Sequence, residues 1–188
     1  KSSWNIDPFI LEKAIKDFIK KKKKPKCIIA VDLYGMPANY KILKSISNKY
    51  KIPIIEDAAE ALGSSYNNNN CGTFGKFSIL SFNGNKIITT GGGGAILTDN
   101  ELLAKKIFNF ATINKKKHKW KYEYDHIGYN YRMPSLNAAL GLAQIKKLNS
   151  HVKKKRTLFK RYKKIFSQNT NFELFEEPKN SKSNYWLQ

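Results

Sequence analysis

With 188 residues, the chain is long enough for one sizeable domain with a real core, or for one domain and part of another. Its 41% hydrophobic and 13% aromatic content excludes a disordered polymer, and no apolar stretch approaches the ~20 residues that cross a bilayer. The net charge of +21 has two readings, a nucleic-acid or acidic-membrane partner and a lysine-rich composition spread over solvated faces. The basic runs fall where helix faces and loops are expected, and asparagine and isoleucine are abundant too, so the second reading is preferred and neither nucleic acid nor membrane is expected as a partner.

No signal-peptide pattern is present. Cys27 and Cys71 supply neither a disulfide framework nor a zinc set, and Cys27 reads as a small buried hydrophobe, so a reducing, cytoplasmic setting is expected. The first residues run straight into a helix and the last resemble the start of a strand, so the chain is expected to be a fragment.

In chain order, Asp7 and Pro8 mark a helix start, a capping acid followed by proline at the first helical position. Ile10, Leu11, Ala14, Ile15, Phe18 and Ile19 continue it at helical spacing, and the lysines of 20–24 suit its carbonyl end. The apolar run 27–31 predicts a strand buried on both faces. A second helix is expected over about 38–50, with Tyr40, Leu43 and Ile46 on one face, then a strand over 52–55 that ends at Glu56 and Asp57. Strand, helix and strand on short links predict a βαβ unit and a parallel sheet.

A polar turn is expected over 67–70, strands over 77–82 and 94–98, and a helix capped at Asp99 or Asn100. Residues 112–125 are basic and aromatic without a period and read as a loop. After a turn over 128–134, Ser135 is expected to cap a helix reaching about Leu148. A basic amphipathic helix covers roughly 151–166, with Leu158, Tyr162 and Phe166 as its stripe, and further strands are expected at 172–175 and 185–188. The pattern changes near 148. Residues 1–148 are expected to form an α/β domain, and 149–188 a linking helix and the opening of a second domain.

Ligands of parallel α/β sheets bind at the carboxyl ends of the strands. Asp57 and Ser81 stand at such ends, and Lys86 closes the stretch SFNGNK just beyond, ahead of the glycines of 91–94. A lysine there can form a Schiff base with pyridoxal phosphate (PLP). A buried carboxylate would keep the pyridine nitrogen protonated, and Ser81 could donate to the phosphate. Singly, each residue has a plainer reading: Asp57 as a helix cap or salt-bridge partner, Lys86 as a solvated cation. The phosphate-loop pattern fails, because Gly75-Lys76 is followed by Phe77 and the position of the earlier glycine holds Asn70. The dinucleotide fingerprint fails because the glycines of 91–94 lead into a strand. His118, His126 and His151 are too scattered for a metal set, and no metal is expected.

The stretches IIAVDLYG, PIIEDAAEALGS, GTFGKFSILSFNGNKIITTGGGGAILTDN and GYNYRMPSLNAALGLAQ occur in this order. Together they resemble the DegT/DnrJ/EryC1/StrS family of PLP-dependent sugar-nucleotide aminotransferases, and the resemblance covers nearly the whole chain. It implies an α/β fold of the PLP-dependent transferase type I: a three-layer large domain with a mostly parallel sheet over 1–148, lacking its N-terminal part, and the start of a small C-terminal domain over 149–188. It implies Lys86 as the Schiff-base lysine and proton shuttle, Asp57 beside the pyridinium nitrogen, Glu60 near the phenolic oxygen and Ala59 against the ring. Ser81 would contact the phosphate. Asn130 would reach across a dimer interface to the partner's cofactor phosphate, with Arg132 beside it as a substrate contact.

The implied enzyme is a homodimer with shared sites. It would move an amino group by a ping-pong route from glutamate to a keto-sugar nucleotide, a UDP-linked 4-keto-6-deoxy sugar, for bacterial surface glycans. The family's upstream Gly-Thr or Gly-Ser turn is absent here, Asp32 stands where His is common, and Gly91 replaces a frequent Ser. The basic loop 115–121 could meet a diphosphate or be solvated. Three alternatives remain: a dehydratase on the same scaffold, which Lys86 argues against; a non-catalytic PLP- or sugar-nucleotide-binding regulator; and a basic nucleic-acid binder.

Overall fold

The computed structural model describes residues 3–115, 118–124, 126–167 and 173–187. Helix α1 (Pro8–Lys20) opens as its sequence requires: the Asp7 carboxylate accepts the N–H of Phe9 at 2.8 Å and of Ile10 at 3.1 Å. Strand β1 (Ile28–Val31) follows, then a single 3-10 turn over Leu33–Gly35. Helix α2 (Tyr40–Tyr50) starts at Asn39, whose side chain accepts from Ile42 N–H, and ends on Lys51 in the left-handed region. Strand β2 (Ile54–Asp57) leads to a small hairpin, β3 (Ser65–Tyr66) and β4 (Asn69–Asn70). Its turn residues Asn67 and Asn68 both have positive φ, the backbone that two-residue hairpins need and asparagine tolerates. Then come β5 (Phe77–Ser81), β6 (Gly94–Leu97), α3 (Glu101–Ala111), α4 (Ser135–Ile145), α5 (Leu148–Phe166) and β7 (Ser181–Lys182).

The main sheet has the order β1-β2-β5-β6. Its first three strands are parallel, and β6 runs antiparallel to β5. One face carries the core, where Ile28, Ala30 and Ile54 meet Ile15 of α1 and Leu43 and Ile46 of α2 in one buried cluster. The two helices are tied by Glu12, whose carboxylate accepts from Lys49 Nζ at 2.6 Å and from Tyr50 Oη at 2.8 Å. A second sheet, β4-β3-β7, joins the hairpin to the C-terminal segment.

The core also holds buried polar side chains, Glu56 on β2 and Asp32 just after β1. Glu56 is fully buried, and its carboxylate accepts from the N–H of Gly72 (2.6 Å) and Phe74 (2.7 Å) and from Ser78 Oγ (2.6 Å). These bonds fold the 71–76 loop onto β2. Gly75 is needed there because a Cβ would lie 2.7 Å from the Glu56 nitrogen and 2.5 Å from the Phe77 oxygen. Asp32, also fully buried, accepts from Ala38 N–H and Tyr40 Oη through Oδ1. Burial is the main cause that pushes the Asp32 carboxyl up to about 8. The Ala38 bond opposes it and the nearby Glu56 charge adds to it.

Several expectations change. β1 is not buried on both faces: Ile29 is 58% exposed and Val31 38%, because among the described residues only the α1–α2 side of this strand is covered. Cys27 is half-buried, and Cys71 is the buried cysteine. Ser135 is the first helical residue of α4 and not its cap; Pro134 takes the entry position, and its carbonyl accepts the first helical bond, from Ala138 N–H. α4 stops at Ile145, and α5 starts at Leu148 and not near 151. No strand forms at 173–175 or 185–187. There Phe175 stacks on Trp4 (4.9 Å) and Tyr185 on Phe159 (4.0 Å), so these rings cover other elements while the short strand forms at Ser181–Lys182. Phe172 and Gln188, the outer ends of those two expected strands, lie outside the described residues, as do 116, 117 and 125 of the expected loop. Among the described residues, no helix is long and apolar enough to cross a membrane.

Candidate active site

The parallel register lays the carboxyl ends of β2 and β5 side by side: Asp57 pairs with Ile79, and the Ala58 N–H donates to the Ile79 carbonyl at 3.0 Å. Asp57 is therefore the last residue of its strand and is half-buried, facing the chain's next turn. Its Oδ1 accepts the Ala59 N–H at 3.1 Å, a local turn that orients the carboxylate and leaves acceptor capacity on both oxygens. Ala59 lies in the same turn, half-buried. Ser81 ends β5, and its Oγ accepts the Asn83 N–H at 3.3 Å, which leaves the hydroxyl proton free to donate.

The loop after Ser81 is closed on itself. Phe82 N–H donates to Gly93 O and Thr90 N–H to Phe82 O, both at 2.9 Å, and Lys86 N–H closes a turn onto Asn83 O at 3.1 Å. The next two residues, Ile87 and Ile88, are buried at 8% and 2% exposure, so the backbone of Lys86 is anchored from one side by apolar burial. Its side chain reaches back over the 58–63 turn. Lys86 Nζ lies 3.5 Å from Glu60 Oε1, and the other Glu60 oxygen accepts the Tyr34 N–H at 2.7 Å. Tyr34 holds φ +55°, a strained backbone for a non-glycine residue, beside the end of β1.

Two contributors came from outside the expected set. Trp186 is 6% exposed, its Nε1–H donates to Asn85 O at 2.6 Å, and Lys86 Nζ stands 4.1 Å from its ring centroid. Asn184, fully buried, is the clamp that holds this segment in place. Its Nδ2 donates to Glu60 O (2.7 Å) and Leu62 O (2.9 Å), its own N–H donates to Ser64 Oγ (2.9 Å), and its Oδ1 accepts Trp186 N–H (2.8 Å). It sits so close to Gly35 that no Cβ would fit there, and Gly35 has φ +78° besides. The sequence carried one hint, a polar Asn just ahead of two aromatics, at the head of the strand expected over 185–188. Nothing in its spacing pointed to Lys86.

A cavity of about 440 Å³ opens beside Lys86, walled by Ile87, His151, Leu158 and Trp186 with Lys154 and Lys155 at its rim. Thus Lys86 and Glu60 meet directly, with Asp57, Ala59 and Ser81 on the adjoining strand ends. Asn130 and Arg132 are not part of this group. Both are exposed: Asn130 bridges to Thr112, and the Tyr129 and Tyr131 rings stack around it at 5.2 Å. Among the described residues, neither side chain makes a hydrogen bond or ion pair with the others.

EpsN of Bacillus subtilis (strain 168), named as a pyridoxal phosphate-dependent aminotransferase, is 40% identical over 185 residues, which cover 98% of this chain and 47% of EpsN. The GDP-perosamine synthase of Escherichia coli O157:H7 is 38% identical over 164 residues, 87% of this chain and 44% of that one. Among solved structures, Helicobacter pylori PseC, an aminotransferase of pseudoaminic acid biosynthesis, superposes with a TM-score of 0.87 at 30% identity, covering 99% of this chain and 49% of PseC. The chain thus spans about half the length of the relatives it matches. These likenesses agree with the α/β fold of a PLP-dependent transferase described above. Because the profile of the DegT/DnrJ/EryC1/StrS aminotransferase family matches residues 1–188 without a gap at either end, the chain belongs to that family.

Proposed function

We propose that this chain carries the lysine side of the active site of a PLP-dependent sugar-nucleotide aminotransferase. The observation that carries the reading is the Lys86 amine held 3.5 Å from Glu60 at the carboxyl edge where Asp57 and Ser81 end their strands. The donor set fits the cofactor: an amine for its aldehyde, a carboxylate with open acceptor sites for its pyridinium nitrogen, and a hydroxyl for its phosphate. When bound, PLP supplies an electron sink for the carbon that gains or loses the proton. Lys86 would hold the cofactor covalently and, once displaced by substrate, act as the base and acid that moves that proton. Asp57 would hold a cationic N–H by charge and hydrogen bond. Glu60 would receive the lysine's ammonium, Ala59 would leave room for a flat ring, and Ser81 would donate to an anion.

The proposed donor is glutamate and the proposed acceptor a nucleotide-linked keto sugar, of the UDP-4-keto-6-deoxy class, in bacterial surface glycan synthesis in the cytoplasm. Similarity to the GDP-perosamine synthase and PseC supports a sugar-nucleotide substrate. Residues 1–148 would form the large domain and 149–188 the opening of the small one. Asn130 and Arg132 would serve the partner subunit's site in a homodimer; that neither side chain bonds to the Lys86 group among the described residues is what favours a role in trans.

The test is the complete protein with PLP, glutamate and a panel of keto-sugar nucleotides. The expected outcome is release of 2-oxoglutarate with amination of one sugar, and visible absorbance of lysine-bound cofactor. Lys86→Ala should remove that absorbance and lower turnover by about 10²–10⁴-fold or more. Retention of both would overturn the assignment.

A further inference from the structure

We propose that Trp186 is a positioning residue for Lys86: the indole face holds the lysine's ammonium, and the indole N–H pins the backbone at Asn85. The proposal rests on the reading of Lys86 as the cofactor lysine.

Both ends of the lysine are fixed by one side chain. The ring centroid is 4.1 Å from Nζ, well inside the range in which a cation is drawn to an aromatic face, and tryptophan has the strongest face of the three. The indole N–H donates at 2.6 Å to the carbonyl immediately before Lys86. The residue is held as well. Trp186 is 6% exposed, its backbone N–H donates to Asn184 Oδ1 at 2.8 Å, and its carbonyl accepts from Lys155 Nζ at 2.9 Å. Asn184 is in turn bonded to the carbonyls of Glu60 and Leu62. The same asparagine therefore sets the position of both groups that flank the ammonium, the Glu60 turn and the Trp186 ring.

The chemistry explains why one carboxylate and one ring face suit this lysine. A transfer lysine is released during turnover and must rest within reach as an ammonium, yet give up its proton when required. Two carboxylates would hold the cation too firmly for it to act as a base. A π face favours the charged form without adding a second anion that must be desolvated. Loss of the face should free the amine to react, by about two- to thirtyfold in its rate of attack.

The experiment uses the complete protein freed of PLP. It follows the rate of acylation of Lys86 by a small anhydride at one fixed pH, read by mass spectrometry of the lysine's peptide. Trp186→Phe keeps a ring face and loses the N–H donor, whereas Trp186→Leu keeps apolar bulk and loses the face. Fluorinated tryptophans, incorporated throughout, keep the shape and progressively weaken the face, so they test the idea even if the Leu variant fails to fold. The rate of Lys86 labelling should rise in the Leu variant and stepwise with fluorination, and change less in the Phe variant. A labelling rate unchanged across the fluorinated series overturns the proposal. Failure of the underlying reading shows separately, as visible cofactor absorbance that survives Lys86→Ala.

Discussion

Helices α2 and α4 are each eleven residues long, and α4 has no charged residue at all, yet only the more polar α2 is packed. α2 buries Tyr40, Leu43 and Ile46, the three apolar positions on one stripe, against the sheet. α4 buries none of its residues: Leu136 is 83% exposed and Leu142 68%. It meets Thr90 by a polar bond, Asn137 Nδ2 to Thr90 O at 2.6 Å, and by the close approach of Gly141 to the Thr90 methyl. Apolar content states that a surface would gain by being covered; it does not state what covers it. The candidate site divides along the same line. Lys86, Glu60, Asp57, Ala59 and Ser81 belong to the packed half, where Lys86 meets Glu60, while Asn130 and Arg132 precede α4 and make no side-chain bond to them among the described residues.

If the two halves serve different sites of a dimer, two dead variants should rescue each other. Lys86→Ala and Asn130→Ala, each weak alone, should regain about a quarter of the sites when mixed as random dimers, since half the dimers are mixed and each of these holds one intact site. Absence of rescue, with exchange of subunits demonstrated, would place both residues in one chain's site or remove Asn130 from it.

Leu43→Ala opens a hole in the packed half and should cost about 2–5 kcal/mol in urea denaturation. Leu142→Ala, on the exposed helix, should cost less than about 0.5 kcal/mol in the same assay. Equal costs would mean that another surface covers α4 in solution.

Between these in size lies a pH effect. Asp32 has its folded pKa raised from 3.8 to about 8, so the folded state keeps a proton that the unfolded chain releases. Its contribution is fully present below 3.8, is lost as pH rises through the window up to about 8, and then levels off, with a slope of up to about 1.4 kcal/mol per pH unit. Asp32→Asn keeps an acceptor for Ala38 N–H and Tyr40 Oη and should flatten that slope. A wild-type slope in the variant would assign the effect to another group.

Much of the packed half was legible beforehand because its signals are local. Asp7-Pro8 had to start a helix, the apolar stripe of α2 had to face inward, and strands joined by a helix had to run parallel. The order of Asp57, Ser81 and Lys86 along the chain, and their places at strand ends, follow from that. The Lys86–Glu60 pair was less visible, since it depends on a side chain crossing a turn. The antiparallel reversal of β6 and the open face of β1 were not visible either. Both depend on which neighbour a strand finds, and not on its own residues.

The sequence by itself determined the elements of the packed half, the family, and the residues whose chemistry suits the cofactor, because capping, periodicity and motif order act over short stretches of chain. The tertiary structure alone decided what the lysine touches. Asn184 lies more than a hundred positions from the carbonyls it binds at Glu60 and Leu62, and Trp186 reaches Asn85 across a similar separation. No periodicity relates residues so far apart. Only the pairing of β7 with β3 and the fit of Asn184 against Gly35 bring the C-terminal segment to Lys86.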